Sequence, residues 1–217
     1  MVILIDNGHG EETQLKQKFS PLLKGSGLDV SDEFTYGGRF REWKYNRVIA
    51  KEVVNTLKGY GYDARLVVKE NADVSLSERV NRINKVCKEK GAKNVLMVSV
   101  HSNAVGNGSE WMKAKGWECY TTKGTTTSDK LAEFLYKRAE KNFKGRAIRK
   151  DTTDGDSDKE SNFYIIKNTN CTAVLTENFF YDNKDDLKFI TSEEGIHEVI
   201  RTHVEGIIDF VKYKEGK

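Results

Sequence analysis

Proline is almost missing from this chain. Pro21 is the only one in 217 residues, so there is no proline-rich linker and no punctuation that would divide the chain into separate units. Cysteine is scarce and odd in number: Cys87, Cys119 and Cys171, with no C-x-x-C pair. That spacing excludes a disulfide framework and a cysteine-built zinc site, and the thiols are expected to be buried and reduced. Long apolar runs are absent too. None approaches the roughly 20 residues that span a bilayer. The opening run, residues 2–5, is short and has no positive leader, so no signal peptide is expected. Charge of one sign is lacking, with 36 Lys and Arg against 33 Asp and Glu. No basic cluster is interleaved with aromatics, which argues against nucleic acid as a partner. What remains, 37% hydrophobic and 32% charged residues, suffices for a core and a solvated surface.

The periodic segments alternate in type. Residues 2–5 form a continuous apolar run, read as a buried strand. Residues 7–41 lack clear periodicity, and a stretch of that length inside a compact domain is usually functional. Ile49, Val53 and Leu57 place a helix over 42–58, stopped by Gly59 and Gly61. Residues 64–68 read as a strand. A helix over 75–90 opens on a possible capping box, Ser75-x-x-Glu78. Residues 95–100 and 117–121 read as strands and 128–143 as a helix. Residues 144–162 read as a polar, mobile connection. Short strands are expected at 163–166 and 173–176, then a C-terminal helix over 193–213. The alternation predicts a single α/β domain, with a central, mostly parallel twisted sheet flanked by helices on both faces. Ligands of such sheets bind beyond the carboxyl ends of the strands.

Chemistry-bearing residues collect at those ends. The first strand runs into Asp6-Asn7-Gly8-His9-Gly10, and the strand at 95–100 into His101-Ser102-Asn103-Ala104. Glu42 opens the first helix seven residues before Ile49, on the buried stripe, where an inward carboxylate needs a partner. Glu177 ends the run Ala173-Val174-Leu175-Thr176. Two imidazoles and a carboxylate make a catalytic zinc set with one position open, and a second, unligated carboxylate serves as base. Each residue also has an ordinary reading: loop histidines, a first-turn glutamate favoured by the helix dipole, a structural cap. Only their combination on one sheet edge favours a site. His197 and His203, on the last helix, read as surface or packing residues. Asp151, Asp154, Asp156, Asp158 and Glu160 fail the calcium-loop pattern at its glycine and terminal glutamate positions and read as a solvated loop. Tyr36 and Trp111 read equally as sugar-stacking or packing aromatics.

At these residues the sequence resembles the zinc-dependent N-acetylmuramoyl-L-alanine amidases of the amidase type 3 class. The resemblance runs through Asp6-x-Gly8-His9-Gly10, Glu42-x-x-x-Asn46, Gly59-Tyr60, Ser75-Leu76-x-x-Arg79, Ser99-x-His101-x-Asn103-Ala104, Gly116-Trp117-Glu118 and Leu175-x-Glu177, in that order along nearly the whole chain. It implies that His9, Glu42 and His101 bind zinc and that Glu177 is catalytic. It also implies cleavage of the amide between the lactyl group of N-acetylmuramic acid and L-alanine in peptidoglycan. Asn103 is expected either to bind substrate or to brace the His101 loop. Family members under division control carry an inserted helix that blocks the site; residues 144–162 predict no such block. The expected partner is peptidoglycan, with a monomeric chain, no membrane insertion and no separate wall-binding domain. Without a leader, such an enzyme would be made in the cytoplasm and reach the wall on release, as a lysis enzyme does. The alternatives are a zinc peptidase acting on the stem peptide, a metal-free glycosidase using Glu42 and Glu177, and a non-enzymatic wall-binding module.

Overall fold

A computed structural model describes residues 1–11, 18–153 and 155–216. Eight strands and six helices alternate along it: β1 (Val2–Asn7), β2 (Thr35–Tyr36), β3 (Arg39–Phe40), α1 (Glu42–Gly59), β4 (Asp63–Leu66), α2 (Leu76–Lys90), β5 (Val95–Asn103), β6 (Glu118–Thr121), α3 (Thr127–Asn142), β7 (Lys159–Glu160), α4 (Tyr164–Lys167), β8 (Thr172–Phe180), α5 (Lys184–Ile190) and α6 (Glu193–Lys214). Six strands build one sheet in the order β4-β1-β5-β8-β6-β7. β4, β1, β5 and β8 are mutually parallel, whereas β6 runs antiparallel to β8 and carries β7 beside it. The mostly parallel sheet with helices on both faces is therefore the observed architecture.

Strand alternation sorts the residues onto two faces. Ile3, Ile5, Leu96, Val98, Val100 and Val174 pack with α1, α3, α5 and α6. Val2, Leu4, Val95, Met97, Ala173 and Leu175 pack with α2 and α4. The second set stops short: the next positions of the same parity are Asp6, Ser99 and Glu177. Only the lower half of that face is covered by helix-borne apolar side chains.

Several expectations are corrected. Residues 163–166 are not a strand; they lead into the one-turn helix α4, which buries Ile165 and Ile166. A short apolar run does not reveal its period, so the pattern alone could not separate the two. Helix α5 went unread; Asn183 caps it, its Oδ1 accepting from the Asp185 and Asp186 amides. The aperiodic 7–41 stretch contains the β2–β3 hairpin, and residues 12–17 lie outside the description. Residues 144–162 are docked rather than free. Ile148 bridges to Trp117 and β7 pairs with β6. No helix occurs among their described residues. The acidic run is not wholly solvated either, because Asp158 is 2% exposed and accepts a hydrogen bond from Thr121 Oγ1; Asp154 lies outside the described residues. The capping box is half made: Ser75 Oγ accepts from Glu78 N, while the Glu78 carboxylate pairs with Arg82. Cys87 and Cys119 are buried and Cys171 half-buried, all free thiols. Among the described residues no helix is long and apolar enough to cross a membrane.

Candidate metal centre and active site

His9, Glu42 and His101 converge at the carboxyl edge of the sheet, with one donor atom of each lying within 4.8 Å of the others. Among the described residues no other group of imidazole, thiol or carboxylate donors is so placed. The two imidazoles meet edge to face, ring centres 4.9 Å apart. Each owes its place to local backbone. His9 has φ of 66°, the left-handed region that a histidine enters at a cost. Gly8 is required beside it, since a Cβ there would fall 2.1 Å from the His101 ring.

Two cations, Arg79 buried and Arg47 half-buried, hold the strained turn. Arg79 Nη2 donates to the His9 carbonyl at 2.9 Å and Arg47 Nη1 donates to it at 3.2 Å. Arg79 is itself anchored on Asp6, Nη1 to Oδ1 at 2.7 Å, and Asp6 Oδ2 accepts from Ser99 Oγ at 2.7 Å. The ion pair is buried on both sides, so losing either partner would strand a charge.

Glu42 reaches the cluster from the first turn of α1, as its place on the buried stripe predicted, and is 1% exposed. Its Oε1 is saturated. Asn46 Nδ2 and Ser102 N donate to it, each at 3.2 Å, and His101 Nδ1 lies 3.1 Å away. Its Oε2 is buried, accepts no hydrogen bond and lies 3.3 Å from His9 Nε2. Burial works against the charge on this carboxyl, but the two imidazoles outweigh it and hold Glu42 well below the usual carboxylate range. An ionised carboxylate set between two imidazoles, with one buried oxygen left unbonded, is a donor set that a small divalent cation satisfies. These residues fit a metal.

Glu177 pairs with His101 across β8 and β5. Its Oε2 is covered and without a hydrogen-bond partner. Burial pushes its pKa well above the carboxylate range, with Glu42 and Glu118 adding to the rise and Lys18 opposing it. Beside the cluster opens a groove of about 630 Å³, lined among others by Lys18, Asp73, Leu76, Arg79 and Tyr164. A larger hollow of about 850 Å³, by Lys115, Arg146 and Phe189, lies away from these residues and lacks imidazoles.

Asn103 spends both ends of its amide within the protein. Nδ2 donates to Glu118 Oε1 at 2.6 Å and Oδ1 accepts from Ala104 N. His203 is fully buried in packing and His197 is exposed. Tyr36 lies under Arg41 and Trp111 under Lys184. Arg79, Asp6 and Asn178 received no role from sequence. Asn178 Nδ2 donates to the His101 carbonyl at 2.8 Å while Oδ1 accepts from Trp117 Nε1. For Asp6 a signal was available, a polar residue continuing a strand whose earlier positions are all apolar; Arg79, on α2, and Asn178, after Thr176 and Glu177, carry no such mark.

Comparisons with known proteins place the chain in a family. The endolysin of Bacillus phage SPP1 is 30% identical over 174 residues, 77% of this chain and 57% of that protein. The amidase CwlM of Bacillus licheniformis is 31% identical over 139 residues, 62% of this chain and 45% of that one. The chain thus spans about half the length of these curated relatives. A crystal structure of an N-acetylmuramoyl-L-alanine amidase from Clostridium difficile 630 superposes with a TM-score of 0.70 at 24% identity, covering 97% of this chain and 96% of the other, a likeness of fold. The N-acetylmuramoyl-L-alanine amidase family model matches residues 3–209, and the chain belongs to that family.

Proposed function

We propose that the protein is a zinc-dependent N-acetylmuramoyl-L-alanine amidase that cleaves the bond between the muramic lactyl group and L-alanine in peptidoglycan. The observation that carries this reading is the convergence of His9, Glu42 and His101 beside a buried carboxylate oxygen of Glu177 that has no partner. His9, Glu42 and His101 would hold the ion. When bound, zinc acidifies water toward a pKa of about 7 and polarises an amide carbonyl.

The chain's own residues do the rest. Glu177 is not needed as a ligand and stands on the next strand. Its raised proton affinity suits Oε2 to accept a proton from the attacking water and to pass it to the departing L-alanine nitrogen. Asp6, Arg79 and Arg47 keep His9 in its strained turn, and Asn46 fixes Glu42. The groove past Leu76 and Tyr164 gives an extended polymer somewhere to lie. The phage relative favours a role in wall lysis.

Chelation, zinc repletion and mass analysis of digested peptidoglycan test the reading. An amidase releases stem peptides with a free L-alanine amino terminus and leaves the lactyl group intact. A new internal peptide end would indicate a peptidase, and activity indifferent to chelator would indicate the glycosidase.

A further inference from the structure

Directly across from Glu177, in the antiparallel β6–β8 pair, stands Glu118. It is 1% exposed, and four donors converge on it. Asn103 Nδ2 at 2.6 Å and the Tyr120 hydroxyl at 2.8 Å donate to Oε1. Arg149 Nε at 2.7 Å and Lys159 Nζ at 2.9 Å donate to Oε2. One cation and two neutral donors would suffice to neutralise and satisfy a buried carboxylate. The second cation leaves the cluster with one positive charge in excess.

That excess is accessible and rigidly mounted. The Arg149 and Lys159 side chains are 40% and 26% exposed, against 2% for Glu118. The Arg149 backbone is pinned on both sides, its N–H donating to the Trp117 carbonyl and its carbonyl accepting from the Tyr136 hydroxyl. Its guanidinium carbon lies 5.2 Å from the Phe180 ring centre, and Lys159 Nζ lies 5.4 Å from that of Tyr120. Arg149 is bonded to Glu118 through Nε, so that bond does not use the two terminal nitrogens, the fork that matches a carboxylate. Asp151, which also feels Lys159, accepts from Thr153 instead.

We propose that Arg149 and Lys159, seated on Glu118, form a recognition subsite for a substrate carboxylate, that of the second residue of the peptidoglycan stem. The proposal rests on the amidase reading, through its direction. If Glu177 protonates the leaving nitrogen, the peptide leaves on the Glu177 side of the metal, toward β6 and β7. The residue after L-alanine is a D-glutamyl joined through its side-chain carboxyl, so its α-carboxyl is either free or amidated. That group lies about 5–7 Å from the leaving nitrogen along the chain. Paired residues on antiparallel strands have Cβ atoms about 5 Å apart, so Glu118 and the cations it holds stand beside Glu177 on the side of β6 and β7.

The test compares two synthetic muramoyl tripeptides that differ only at this group, carboxylate against carboxamide. The wild-type enzyme is expected to cleave the carboxylate form with kcat/KM about 10-fold higher or more, the worth of one charge-assisted contact. The ratio should fall toward one in Arg149→Gln. Lys159→Gln gives the second reading should the first variant fold poorly, and added salt should shrink the wild-type ratio. Equal kcat/KM for the two substrates, or preference for the carboxamide, would overturn the subsite. Cleavage of neither would count against the amidase reading instead. In that case calorimetry with L-alanyl-D-isoglutamate and L-alanyl-D-isoglutamine decides the subsite, which fails if the two dipeptides bind alike.

Discussion

The two faces of the sheet are built from the same strands and have opposite fates. On one, Ile3, Ile5, Leu96, Val98, Val100 and Val174 disappear under α1, α3, α5 and α6. On the other, Val2, Leu4, Val95, Met97, Ala173 and Leu175 are covered by α2 and α4, and the next positions are Asp6, Ser99 and Glu177. The change occurs within single strands, over two residues. Stability and chemistry therefore share a backbone but not side chains: the closed face holds the sheet together, and the half-open face presents polar groups at a rim that the closed face keeps rigid. This division makes the two faces separable by mutation.

The largest effect belongs to the open face. Glu177→Ala should lower turnover on purified walls by about a thousand-fold or more while bound metal stays stoichiometric; assay and metal analysis on the same sample check it, and near-normal turnover would remove Glu177 from the chemistry. Arg79→Met should destabilise the fold by about 3–5 kcal/mol, because Asp6 is left buried and unpaired. The same change should weaken metal binding, since the His9 carbonyl loses a donor. Denaturant unfolding and a zinc titration read the two losses. On the closed face, Leu135→Ala should cost about 2–5 kcal/mol yet leave kcat per folded molecule at the wild-type value, as Leu135 is fully buried in the other core. A drop in kcat matching that of an open-face variant would show the faces to be coupled.

The smallest effect is set by pH. Burial lowers the pKa of His203 to about 4, although its bond to the Val199 carbonyl pulls the other way. The unfolded chain, with its ordinary value near 6.5, then takes up the proton first. The stability owed to neutral His203 is intact above pH 6.5 and is lost as pH falls toward 4, by up to about 3 kcal/mol. Asp158 slopes oppositely. Burial pushes it up to about 7, so its contribution is full below the unfolded value near 3.9 and is lost as pH rises toward 7. His203→Gln should flatten the acid-side decline in thermal unfolding curves and Asp158→Asn the opposite slope; an unchanged curve in His203→Gln would show that the imidazole is not held neutral.

Much of this was legible in the sequence, for stateable reasons. Strands with continuous apolar runs and long helices with a regular stripe announce themselves, and a polar residue directly after such a strand marks the functional edge. His9, His101 and Glu177 stand out that way as candidates, and Glu42 because a carboxylate on a buried stripe demands an explanation; the structure brings His9, Glu42 and His101 together and pairs Glu177 with His101. Local pattern could not resolve α4, where Ile165 and Ile166 carry no period, or α5, whose Asn183 cap resembles any loop asparagine. Nor could it show that Arg79 and Asp6, 73 positions apart, form one buried pair beneath His9. The docking of Arg149 and Lys159 on Glu118 was equally hidden, because their segment has the composition of a solvated loop and its order comes from tertiary contacts.

The most direct test of the account is anomalous diffraction at the zinc edge from crystals grown with zinc. The account predicts a peak about 2.0–2.2 Å from a nitrogen of His9, a nitrogen of His101 and Oε2 of Glu42, with Glu177 outside bonding distance. A peak elsewhere, none at this cluster, or zinc bound directly by Glu177 would contradict it.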